Sequence, residues 1–312
     1  MDDFLKWFST KANGENMSDY TLKNMLYNVR RVERILLIPV ETWDINSFRD
    51  SQNLIQNLNA KYSYNTAINT LHSVLLLIEY YGGDKGLINT YRDYLNDYIE
   101  IRTVNSKEPK EGLIKNWMPY TELRAKVMEV NEKFLSGKHA FTKFRNYLIL
   151  ALYTLAYPVR LGNYIGMKFL KQNEDPETLP RHFNYIIRGY DNRYTFVFNK
   201  YMTSKTLGQI IYKPDELILH RIISKYFANY SKNPQLFLVN TNNKSMSQTN
   251  LTNAISSISK SLLNKSLTLN MIRQIFITDF LKQEKTMKER KRVLKIIGQV
   301  YNPSTNELYH KL

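Results

Sequence analysis

From Ser18 the apolar residues Leu22, Met25, Leu26, Val29, Val32 and Leu36 return at helical spacing, and Pro39 follows as a stop. Asp44 is placed to cap a second helix carrying Ile45, Phe48, Leu54, Ile55 and Leu58, and Ser63 a third that ends at Gly82-Gly83. A fourth carries Leu87, Tyr91, Tyr94, Leu95 and Tyr98. These short amphipathic helices predict a small helical bundle over residues 1–105. Between Arg102 and Pro119 the periodicity fades into Thr-Val-Asn-Ser-Lys-Glu-Pro-Lys-Glu-Gly, which reads as an interdomain linker over 106–119.

After Pro119 the pattern is helical near 120–135 and again, strongly apolar, over 139–157. The period then changes to two. Phe183-Asn-Tyr-Ile-Ile-Arg, Arg193-Tyr-Thr-Phe-Val-Phe and Gln209-Ile-Ile-Tyr are rich in β-formers, and Asp191-Asn192 makes a turn between the first two. Helices resume from about Pro214, broken by a polar loop from Asn240 to Lys244. The expected fold is mainly α with a small antiparallel β-sheet, in two domains, 1–105 and 120–312.

A chain of 312 residues is long enough to bury a core in each domain. Its 44 Lys and Arg against 28 Asp and Glu give a formal charge of +16, which suits either a polyanionic partner or a merely solubilising surface. A nucleic acid bound through phosphate contacts would be released steeply by salt. The absence of cysteine rules out disulfides, thiolate metal sites and a cysteine nucleophile. His72, His139, His182, His220 and His310 are scattered, and no pair has metal-ligand spacing, so no metal is expected. The start lacks the basic and apolar regions of a secretory signal, and the longest uncharged run, Tyr62 to Ile78, is too short to span a bilayer. A soluble protein without membrane contact is expected, its compartment left open. The abundance of Asn, Lys, Ile and Tyr fits an AT-rich genome.

Four stretches carry candidate chemistry: Tyr157-Pro158-Val159-Arg160-Leu161-Gly162 after the apolar helix, Thr203-Ser204-Lys205-Thr206-Leu207-Gly208 after a strand, Asn270-Met-Ile-Arg273, and Ile297-Gly298-Gln299 followed ten residues on by Tyr309. In order and rough spacing they resemble the tyrosine recombinase (phage integrase) family, and the Lys205-Thr206-Leu207-Gly208 hairpin and the Tyr309-His310-Lys311 ending look most like the recombinases of large eukaryotic DNA viruses and their mobile elements. The resemblance implies an N-terminal core-binding bundle that closes on DNA like a clamp, and a catalytic domain that cuts and rejoins double-stranded DNA through a 3′-phosphotyrosyl intermediate. Four protomers would act on two DNA sites, without metal or other cofactor.

Within that resemblance, Tyr309 is the nucleophile, chosen by position among 23 tyrosines; Tyr301 stands too close to Gln299. Arg160 and Arg273 would hold the phosphate, because a guanidinium is permanently charged and offers a planar fork of donors. Either arginine could instead be a surface or backbone contact. Lys205 is the general acid, preferred over Lys200 because Ser-Lys-Thr-x-Gly matches the family turn, although a solvated turn lysine would look the same. Asn270 stands where the family has a histidine, Gln299 where it has histidine or tryptophan, and Asn163 in place of a common glutamate. An amide can donate a hydrogen bond but cannot exchange a proton near neutral pH, so proton transfer would rest on Lys205 and water. Only His310, Lys311 and Leu312 follow Tyr309. Assembly contacts are therefore expected from the bundle and internal loops, unless the chain is truncated.

Other readings compete. A type IB topoisomerase or telomere resolvase shares the chemistry without pairing two duplexes, and a degenerate recombinase would bind DNA without cutting it. An RNA-binding protein rests on charge and tyrosine content alone.

Overall fold

The computed structural model describes residues 2–11, 19–105, 111–171 and 174–300, and the chain divides into two units, Met1–Glu108 and Pro109–Leu312. In the first unit, α1 (Asp2–Lys11) precedes α2 (Asp19–Leu36), whose buried face is Met25, Val29, Val32 and Ile35. The sequence pattern gives no sign of α1. Phe4 anchors it, stacking on Phe8 and meeting Tyr80 edge-on. The helix expected from Asp44 is divided. The Asp44 carboxylate accepts from Asn46 N and Ser47 N to cap a 3-10 turn, Ile45–Phe48, and Asp50 then accepts from Asn53 N to begin α3 (Ser51–Lys61). Two caps six residues apart each satisfy orphan helix donors, so the chain makes two short elements. α4 (Tyr64–Tyr80) and α5 (Lys85–Asn105) complete the bundle, with the Tyr91 hydroxyl donating to Phe48 O at 2.9 Å.

The segment expected as linker contains a helix, α6 (Glu111–Asn116). Its end is fastened within the second unit, where Ser266 N donates to Asn116 Oδ1 at 2.8 Å and Lys265 Nζ to Lys115 O at 2.8 Å. α7 (Tyr120–Glu129) and α8 (Asn131–Ser136) lead to α9 (Phe141–Thr154), every residue of which from Phe144 onward is buried. This is the apolar helix of the sequence, and from Phe144 on it is buried all round, Arg145 and Asn146 included, because other helices pack on it.

The sheet is mixed rather than antiparallel. β2 (Tyr185–Arg188), β3 (Tyr194–Phe198) and β4 (Ile210–Tyr212) form the antiparallel part expected, but β1 (Lys168–Leu170) adds beside β2 in parallel. Three residues are too few to show a period of two, which is why β1 was not visible in the pattern. Alternation holds in β3, where Phe196 and Phe198 enter the main core while Val197 packs with Tyr185 and Ile187 on the opposite face. Between β2 and β3, Asn192 at φ 58° closes the expected turn. Between β3 and β4 lies a single helical turn, α10 (Ser204–Leu207), ended by Gly208 at φ 67°. α11 (Leu217–Asn229), α12 (Gln248–Leu263), α13 (Leu269–Lys282) and α14 (Met287–Ile296) follow, and α11, α12 and α13 all pack on α9. No helix among the described residues is long and apolar enough to cross a membrane.

Candidate active site

Arg160 leaves α9 through Tyr157-Pro158-Val159 and caps a 3-10 turn, Leu161–Tyr164. The approach is anchored by Tyr157, whose N–H donates to the Tyr212 hydroxyl at 3.2 Å and whose ring stacks on Tyr212 at 5.3 Å. Arg160 is half-buried, and its Nε is enclosed without a hydrogen-bond partner among the described residues. Asn163, one 3-10 turn further, is 1% exposed, and neither atom of its amide has a partner there. A 3-10 turn eclipses residues three apart, so Arg160 and Asn163 share one side of it.

Arg273 lies on the buried side of α13 at 7% exposure. Its Nη1 donates to Pro158 O at 2.5 Å and to Ile297 O at 3.0 Å. One guanidinium thus ties the approach to Arg160 to the turn that carries Gly298 and Gln299. Hydrogen bonds to a charged donor are the stronger kind, and desolvating the charge is tolerable because carbonyl dipoles converge on it. Asn270 sits one helical turn earlier on α13 and is exposed.

Lys205 occupies α10 and is exposed. Its loop is fixed at both ends. Thr203 Oγ1 donates to Gly298 O at 3.0 Å, and the Tyr201 hydroxyl donates to Gly208 O at 2.5 Å. Gln299 is half-buried, with its N–H donating to Leu294 O at 2.9 Å as the chain leaves α14. Gly298 makes that exit at φ 72°, a left-handed conformation that side chains resist. A cleft of about 730 Å³ beside α10 is lined by Lys205, Lys295 and Arg181, with Glu177 the single carboxylate among the described residues, so these residues make its field positive.

The four motif segments are thus neighbours through named bonds. Arg160, Arg273, Lys205 and Gln299 come from α9's exit, α13, α10 and α14's exit. Lys200 ends the β3 approach and is exposed, with its backbone engaged by Asn184. Tyr309 and Tyr301 lie outside the described residues. Burial pushes the phenols of Tyr153, Tyr164 and Tyr212 up from their ordinary value. That direction disfavours ionisation and suits core packing rather than nucleophilic attack.

Sequence reasoning passed over Asn184, Lys295 and Thr203. Asn184 lies in a stretch read only for its strand pattern, and Lys295 is one of several lysines on a basic helix. Thr203 stood within the Lys205 motif but had no role there.

No protein-family model and no curated protein sequence matches this chain. Solved structures do. XerH site-specific recombinase bound to a difH substrate aligns with a TM-score of 0.59 at 14% identity, over 99% of this chain and 81% of that one. A lambda integrase dimer bound to a COC′ core site gives 0.56 at 12%, covering 99% and 94%. The Tn1549 transposon integrase with transposon right-end DNA gives 0.54 at 14%, covering 98% and 94%. At these identities the likeness is one of architecture: the chain has the fold of the tyrosine recombinases.

Proposed function

We propose that this chain is a site-specific DNA recombinase or integrase, which cuts and rejoins double-stranded DNA through a 3′-phosphotyrosyl intermediate. The observation that carries the reading is Arg273, whose Nη1 bonds to Pro158 O and Ile297 O gather the Arg160 and Gln299 segments around one buried cation. It is further supported by the positive cleft at Lys205, by the +16 charge, and by the DNA complexes of proteins that share the fold.

In this reading Tyr309 Oη gives its proton to water and attacks a phosphorus, the bond to O5′ breaks, and Lys205 Nζ gives a proton to the departing oxygen. Arg160 and Arg273 stabilise the charge that builds on the non-bridging oxygens. A buried donor without an acceptor, as Arg160 Nε is among the described residues, costs about 1–3 kcal/mol, which a bound phosphate oxygen would recover. Each such donor contributes about 2.7–4 kcal/mol to the transition state. A 5′-hydroxyl from a second strand then reverses each step and frees the tyrosine. Four copies on two DNA sites would complete exchange, with the N-terminal bundle also contacting DNA. The Lys205-Thr206-Leu207-Gly208 hairpin and the Tyr309-His310-Lys311 ending support a relation to the recombinases of large eukaryotic DNA viruses and their mobile elements.

Asn270 and Gln299 favour a second reading, a DNA-binding protein that no longer cuts, because neither amide can transfer a proton near neutral pH. The two are separated by incubating the protein with nicked source DNA in EDTA, labelled at either end of the break. The proposal expects protein on the 3′ side and a free 5′-hydroxyl. Intact DNA under saturating binding contradicts it.

A further inference from the structure

Asn184, just before β2, is 5% exposed. Its side chain makes four hydrogen bonds. Nδ2 donates to Asn163 O at 2.9 Å and to Lys200 O at 2.9 Å, while Oδ1 accepts from Asn199 N at 2.8 Å and Lys200 N at 2.7 Å. Its own carbonyl accepts from Lys168 N at 2.8 Å, which joins β1 to the same point. A primary amide has two donor hydrogens and one acceptor oxygen with two lone pairs, and here all are used.

The partners matter more than the count. Asn163 belongs to the 3-10 turn capped by Arg160, and its N–H donates to Arg160 O at 3.0 Å. Asn199 and Lys200 follow β3, at the start of the loop that reaches Lys205. Asn184 is therefore a direct tether between the turn holding one phosphate-binding candidate and the loop holding the acid. A fully satisfied amide in a buried setting is rigid, since every rotation breaks bonds that water cannot replace.

We infer that Asn184 is a positioning residue, which fixes the Lys205 loop against the Arg160 turn and so sets where the acid stands relative to the scissile phosphate. The inference rests on the function proposed above. A proton donor displaced by about 1 Å costs on the order of 10²-fold in rate.

Asn184→Asp is the selective test. The carboxylate keeps acceptors for Asn199 N and Lys200 N but offers no donor to Asn163 O or Lys200 O, so it removes the side chain's one bond to the Arg160 turn while two of its three bonds to the loop remain. Cleavage of nicked source DNA is compared with cleavage of the same duplex carrying sulfur at the bridging 5′ position. A thiolate leaves without a proton, so the sulfur substrate bypasses the acid. The expected result is wild-type DNA affinity, an oxygen-substrate rate lower by about 10²-fold, and a sulfur-substrate rate close to wild type. An equal loss on both substrates, or no loss on either, overturns the inference while leaving the proposed function intact. A wild-type protein that cleaves neither substrate removes the proposed function and this inference with it. Should Asn184→Asp fail to fold by circular dichroism, Asn184→Ser is measured the same way, with the same outcomes.

Discussion

Arg273 Nη1 donates to Ile297 O at 3.0 Å, so a helix interior and the exit of the last described helix are joined through one guanidinium. The same atom reaches Pro158 O. Arg273→Met would leave two carbonyls without this donor, and we expect a loss of about 2 kcal/mol in the unfolding free energy. Arg273→Lys keeps the charge but not the planar fork, and should be more stable than the Met variant while cleaving DNA roughly 10²–10³-fold more slowly. Urea denaturation and adduct kinetics on the wild type and both variants check this; a Met variant as stable as the wild type would show that the guanidinium holds nothing together.

The contact between Thr203 and Gly298 yields a second expectation. Thr203→Val removes the donor to Gly298 O and should cost about 1 kcal/mol. Gly298→Ala should cost about 1 kcal/mol for a different reason, the positive φ, because an added Cβ would meet Thr203 Oγ1 only at 3.6 Å, an ordinary contact. Thermal unfolding of the two single variants and the double variant tests whether the sites are coupled, as neighbours sharing one hydrogen bond should be.

Leu37, directly after α2, has a left-handed conformation, φ 57°, and is 86% exposed. A leucine there bears the steric cost of that backbone and recovers little by burial. Leu37→Gly is expected to stabilise the first unit by roughly 0.5–1 kcal/mol, read as a higher urea midpoint. A lower midpoint would mean that the exposed side chain makes a contact worth more than the strain.

His220 gives the protein an acid-sensitive element. Its Nδ1 accepts from Tyr194 N at 3.0 Å, so the proton of the neutral ring sits on Nε2, which donates to Pro214 O at 2.8 Å. Burial holds its pKa below the ordinary value of 6.5. Below 6.5 the unfolded chain takes up a proton that the folded site resists, so stability is full above that pH and falls as the pH drops toward the depressed folded value. Urea midpoints at pH 7.5 and 5.5 should differ more for the wild type than for His220→Gln. An equal fall in both would assign the acid sensitivity to other groups.

Much of this architecture was legible because it follows from periodicity. The strongly apolar stretch over 139–157 reads as a helix, and α9 is the helix on which α11, α12 and α13 pack. Phe196, Val197 and Phe198 alternate as a strand with two packed faces. What escaped is local competition. Asp44 and Asp50 both cap, so one expected helix became a 3-10 turn and α3. β1 gains its place only by pairing with β2, a tertiary event that Lys168-Phe169-Leu170 does not announce. At the site, the chemically conspicuous residues Arg160, Arg273 and Lys205 could be read from their motifs. The residues that join their segments, Asn184 and Thr203, could not, because an amide or hydroxyl becomes informative only once its partners are known. Tyr309, chosen by spacing, lies outside the described residues.

The most direct measurement is covalent trapping on nicked source DNA, comparing wild type, Tyr309→Phe and Tyr301→Phe by denaturing electrophoresis. A phenol of ordinary pKa near 10 must be activated by the assembled cations before it attacks, so only a correctly placed tyrosine should react. The account predicts a protein–DNA adduct in the wild type and in Tyr301→Phe, and none in Tyr309→Phe. An adduct that survives in Tyr309→Phe, or no adduct in any of the three under tight DNA binding, would contradict it.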